Sequence, residues 1–62
     1  MVVILESNAT DTQIDNVVKH LEDFGFQVHR SSGVERTILG AIGVQPDFDT
    51  RKIKILDAVA DV

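Results

Sequence analysis

Sixty-two residues make one small domain, in which folding hides only about 60% of the unfolded surface, and the absence of cysteine or a histidine-rich cluster excludes disulfide and structural-metal reinforcement. A composition 44% apolar and 26% charged is that of a globule and not of a disordered tail, while a net charge of −4 argues against a nucleic-acid partner, whose phosphates it repels. The longest apolar run, Met1 to Leu5, is far short of the roughly 20 residues that cross a bilayer, and no charged leader precedes it, so no membrane partner and a cytoplasmic setting are expected.

Val2, Val3, Ile4 and Leu5 are apolar on both alternating faces, which predicts a strand covered by helices on one side and by something else on the other. Thr10 and Gln13 have the spacing of a capping box, with Asp11 at the positive end of the helix dipole. Ile14, Val17, Val18, Leu21 and Phe24 then recur at three and four residues as one apolar stripe, with Asp15, Lys19, Glu22 and Asp23 facing water. Gly25 is suited to the left-handed closing position. Residues 26–31 alternate as a second strand, Phe26 and Val28 toward the core, Gln27, His29 and Ser31 away from it. A turn through Ser32 and Gly33 leads to a third strand over residues 36–42, whose small Gly40 and Ala41 let a neighbouring backbone or ligand come close, and Gly43 terminates it. Pro46, with Asp47 and Asp49 as acidic N-terminal groups, opens a second helix carrying Phe48, Lys52, Ile53, Ile55, Leu56 and Val59.

The order strand, helix, strand, strand, helix defines an α+β, ferredoxin-like split βαβ domain over residues 1–62, βαββα with its fourth strand truncated, an antiparallel sheet with two helices on one face. Only Ala60, Asp61 and Val62 remain to begin that strand, so the first strand is expected to be an open edge and the natural protein to continue beyond Val62.

His29 and Ser31, two apart on a strand, share a face and stand about 7 Å apart along it. An imidazole supplies one donor and one acceptor and a hydroxyl either, which suits a phenol or an amino-acid head group. The spacing alone is also that of a merely solvated face, the commoner outcome for so short a motif. Gly33-Val34-Glu35-Arg36-Thr37 offers a carboxylate, a guanidinium and a hydroxyl in succession. Adjacent strand residues point to opposite faces, so these groups cannot converge on one reacting atom, and a turn or interface role fits better than catalysis. No lysine-serine pair opens a helix after Gly33, Gly40 or Gly43, so no phosphate loop forms. His20 receives no role, and the histidines lie on different elements with no third ligand, so a metal site is not expected. Phe24, Phe26 and Phe48 all fall at core positions, unlike the exposed strand aromatics of an RNA-binding sheet.

The spacing from Gly33 through Glu35, Arg36 and Thr37 to Gly40, with His29 and Ser31 just before it, resembles the N-terminal ferredoxin-like regulatory domain of one class of 3-deoxy-7-phosphoheptulonate synthase. The resemblance runs without gaps over residues 2–62, including Ile14, Val17, Val18, Leu56 and Asp57. It implies a non-catalytic chain within an enzyme of aromatic amino-acid synthesis, one that binds tyrosine or phenylalanine between two copies of the domain and then covers the catalytic barrel. His29 and Ser31 match the effector-binding positions; Gly33, Glu35, Arg36, Thr37 and Gly40 make up the turn and interface motif. The implied divalent metal belongs to the barrel, with no cofactor in these 62 residues. Two other readings stay open: a ligand-free interaction or oligomerisation module, and a stand-alone sensor resembling ACT domains, although residues 6–9 lack the glycine-bearing turn such sites use.

Overall fold

The computed structural model describes residues 1–33, 35–43 and 45–62. The chain runs β1 (Val2–Leu5), α1 (Asp11–Asp23), β2 (Gln27–Ser32), β3 (Thr37–Ile42), α2 (Arg51–Lys54) and β4 (Val59–Asp61). One sheet holds the four strands in the order β2-β3-β1-β4, every pairing antiparallel.

Both ends of α1 follow from the sequence. Thr10 is the N-cap: its Oγ1 accepts the Gln13 amide at 3.2 Å while the Gln13 side chain accepts the Thr10 amide at 3.0 Å, so two otherwise unpaired donors are satisfied reciprocally. At the other end the Gly25 amide donates to Glu22 at 2.9 Å and the Phe26 amide to Leu21 at 3.0 Å, the double bond of a Schellman closure. That closure needs a left-handed residue, and Gly25 has φ +95°. The turn delivers Phe26 to the core beside Leu21.

Alternation then separates the two faces of the sheet. Val3, Leu5, Leu39, Ala41 and Phe26 are buried with Ile14, Val17 and Leu21 of α1 and Ile53 of α2, so both helices cover one face. The opposite face carries Val2, Ile38 and Ile42, which remain 55%, 41% and 62% exposed.

Two expectations are corrected. A fourth strand does form: Val59–Asp61 pairs with β1, across a bulge at Ile4 and Leu5, and the Glu6 amide donates to Ala58 at 2.7 Å. Three residues therefore suffice to make β1 an interior strand. The second helix is a single turn, not the span from Pro46 to Val59, and Val59 belongs to β4. Its stripe is not sustained: Ile53 is fully buried, but Ile55 is 81% exposed. Ala58, at φ +71°, turns the chain out of helical geometry, and pairing with β1 then competes successfully for residues 59–61. Among the described residues no helix is long and apolar enough to cross a membrane.

Candidate functional site

Register decides which polar groups meet. β2 and β3 pair Gln27 with Ile42, Val28 with Ala41, His29 with Gly40, Arg30 with Leu39, Ser31 with Ile38 and Ser32 with Thr37. β1 continues the rows, Val2 opposite Gly40 and Ile4 opposite Ile38. His29, Gly40 and Val2 thus form one row across the uncovered face, and Ser31, Ile38 and Ile4 form the next. His29 and Ser31 are both exposed, and among the described residues their side chains make no hydrogen bond within the chain. The sequence reading of a shared outward face is the geometry found.

The other members of the motif separate. Gly33 and Arg36 close the β2–β3 turn, the Gly33 amide donating to the Arg36 carbonyl at 2.9 Å. A Cβ on Gly33 would stand 3.0 Å from that carbonyl oxygen, so the turn needs glycine for space and not for a positive φ. Glu35 and Arg36 are exposed at the hairpin end, and Val34 lies outside the described residues. Thr37 shares its side of β3 with Leu39 and Ala41, away from His29. Of the five motif residues Gly33, Glu35, Arg36, Thr37 and Gly40, Gly40 is the one paired with a predicted polar site residue, His29.

Arg30 was not singled out by sequence, although it anchors the strand that carries the site. Its guanidinium lies 3.3 Å from Asp11 and 3.7 Å from Asp15, linking β2 to the exposed side of α1. The signal was present in the two carboxylates four apart on one helix face. Asp11 and Asp15 remain 91% and 74% exposed, so this clamp orients more than it stabilises. His20 bonds through Nδ1 to the Asn16 carbonyl on its own helix at 2.8 Å.

A separate concavity of about 360 Å³ is lined by Phe24, Gln45, Pro46, Asp47, Phe48 and Lys52 and contains none of the predicted site residues. Gln45 closes it by donating to the Phe24 carbonyl at 2.6 Å, Phe48 meets Phe24 and Phe26 edge-on, and the Lys52 ammonium lies 5.7 Å from the Phe24 ring centre. Nearby, Arg51 hydrogen-bonds the Asp49 carboxylate and holds its pKa down at about 2, against an ordinary 3.8. These contacts are accounted for by holding the connection between β3 and α2. Among the described residues no three His, Cys, Asp or Glu side chains group as metal ligands.

The fold and the two-faced sheet define the class: a ferredoxin-like domain with an uncovered face bearing an imidazole and a hydroxyl amid aliphatic side chains. The family model of the DAHP synthase ferredoxin-like domain matches residues 1–62, and the chain belongs to that family. A curated relative, phospho-2-dehydro-3-deoxyheptonate aldolase of Thermotoga maritima, is 37% identical over 62 residues, all of this chain and 18% of that protein. The crystal structure of the Thermotoga maritima aldolase (DAHP synthase) superposes with a TM-score of 0.88 at 35% identity, covering 97% of this chain and 18% of that one. The chain therefore spans under a fifth of the relatives it matches.

Proposed function

We propose that this domain is an allosteric sensor within a DAHP synthase, binding tyrosine or phenylalanine between two copies of its uncovered face. The observation that carries the reading is the outward row of His29 and Ser31, without partners among the described residues, set beside exposed Val2, Ile38 and Ile42. The aliphatic side chains give two faces a reason to meet, and the imidazole and hydroxyl give an amino-acid ligand a reason to sit between them. An effector that contacts both copies binds the closed pair better than the separated domains. It therefore shifts the population toward closure, where the pair covers the catalytic barrel and lowers turnover. Condensation of phosphoenolpyruvate with erythrose 4-phosphate, and the divalent metal it requires, belong to that barrel in a cytoplasmic enzyme. This chain contributes binding and closure, and no catalytic group.

Activity of the full-length protein titrated with tyrosine and with phenylalanine tests the proposal, alongside His29→Ala and Ser31→Ala. Loss of the response to effector in the variants, each referred to its own uninhibited rate, supports it; unchanged inhibition in both removes the site. A ligand-free assembly module remains the second reading, favoured by the same exposed aliphatic side chains. It requires association that is indifferent to aromatic amino acids, which sedimentation with and without them separates.

A further inference from the structure

Gly40 occupies a place where the backbone makes no demand for glycine. It lies in the middle of β3, is not among the positive-φ residues, and a Cβ built on it would meet only the His29 carbonyl oxygen at 3.7 Å and the His29 Cβ at 3.9 Å, ordinary contact distances. Glycine inside a strand weakens it, through backbone entropy and the missing side chain. The missing side chain has one visible consequence, on the uncovered face. Ile38 and Ile42 stand two residues to either side, so their Cα atoms are about 13 Å apart along the strand, and His29 and Val2 flank the gap across a span of about 10 Å. The result is a shallow notch with peptide backbone for a floor, two isoleucines for ends, and an imidazole and a valine for sides.

We infer that this notch is the seat of the effector's aromatic ring, and that Gly40 is a specificity-determining residue of the site. The inference rests on the proposed sensor function and deepens it. A flat ring can lie directly on glycine backbone and cover it, as cross-strand aromatics do in sheets, whereas a Cβ would hold the ring off the floor. The ring must come from outside the sheet face. The chain has no tyrosine or tryptophan, and its three phenylalanines belong to the core or pack against it, so a second copy brings no phenyl ring to the notch. His29 beside the notch is within reach of a substituent on the ring edge, while Ser31, one row along, suits the polar head group.

The test uses the full-length protein with tyrosine and phenylalanine as probes, each variant's half-inhibitory concentration being referred to its own uninhibited rate. Gly40→Ala is expected to melt no lower than the parent and to raise that concentration about tenfold, the worth of one good ring contact. Val2→Phe, directly opposite Gly40 and at an exposed position, fills the notch from within the chain and is expected to weaken the effector at least as much, whether or not the alanine variant folds. If His29→Ala abolishes the response while Gly40→Ala and Val2→Phe leave it intact, the notch is not the ring site and the sensor reading stands. If His29→Ala and Ser31→Ala leave it unchanged, the sensor reading itself fails. If Gly40→Ala instead weakens association of the effector-free protein, as sedimentation reads it, a side chain of the second copy already fills the notch, and the inference is overturned.

Discussion

Replacing Ile42 by threonine separates what the uncovered face does for the fold from what the proposed pairing asks of it. Ile42 is 62% exposed in the single domain, and threonine keeps the β-branch that suits a strand, so domain stability should change by no more than about 0.5 kcal/mol. In the closed pair proposed above, the remaining exposed part of the side chain would be buried. Full burial of an isoleucine contributes about 1.5–3 kcal/mol, so the uncovered fraction corresponds to about 1–2 kcal/mol per copy. A two-fold pairing places the substitution on both sides of the interface, which doubles the loss to about 2–4 kcal/mol. The lower figure is already about 30-fold in the closed-to-open ratio, and the effector concentration needed for closure must rise accordingly. Inhibition curves of the full-length variant, with small-angle scattering to follow domain closure, measure the shift. A variant whose curve stays within threefold of the parent, with thermal stability unchanged, would refute the assignment of this face to pairing.

The other expectations concern the connection between α2 and β4 and the loop before α2. Ala58 holds φ +71°, a region that costs an L-residue about 1–2 kcal/mol, so Ala58→Gly should raise stability in urea by up to about 1 kcal/mol after glycine's own entropy is deducted; destabilisation would show the left-handed turn to be unstrained. Asp49, held by Arg51, should titrate by carboxyl-carbon NMR near about 2, and Arg51→Ala should return it toward 3.8. Because the folded pKa is the depressed one, the associated stability is present above about 4 and is lost as pH falls toward 2.

Local signals were legible where one residue acts within one turn of chain. Thr10 and Gln13 announce the cap, Gly25 the closure, and alternation from Phe26 to Ser31 the two faces of β2, because each depends on neighbours within a few positions. The fourth strand was not legible: three residues carry no period, and what makes Val59–Asp61 a strand is the open edge of β1, more than fifty residues earlier. The same competition shortened the second helix. Within the site, the shared side of His29 and Ser31 could be read from their separation of two, whereas the row joining His29 to Gly40 and Val2 depends on the register of two strand pairings. The β2–β3 register is tied to the turn closed between Gly33 and Arg36, and the β1–β3 register is a pairing of strands more than thirty residues apart, so no inspection of residues 28–40 as a string reveals what lies opposite what.

The composition of the uncovered face bears on why a sensor would be built this way. On the proposed reading, Val2, Ile38 and Ile42 together expose the equivalent of about one and a half aliphatic side chains, and covering them contributes about 2–5 kcal/mol per copy before any ordering cost. Domains joined to one assembly meet at high effective concentration, so a wholly aliphatic face would hold them shut whether or not an effector was present. Carrying a two-state equilibrium from one extreme to the other takes about 5.5 kcal/mol of differential binding, and the effector has to supply it. His29, Ser31 and Gly40 withhold closure for complementary reasons. The two polar side chains lose water when the faces meet and need a partner in return, while the glycine leaves a space that closure alone does not fill. A ligand with a ring for the notch and hydrogen-bonding groups for the imidazole and hydroxyl removes all three penalties at once. Polar substitution in the aliphatic rows and aliphatic substitution of His29 should then move the equilibrium in opposite directions: Ile42→Thr toward the open form at any effector concentration, and His29→Leu toward an effector-independent closed form with a low uninhibited rate.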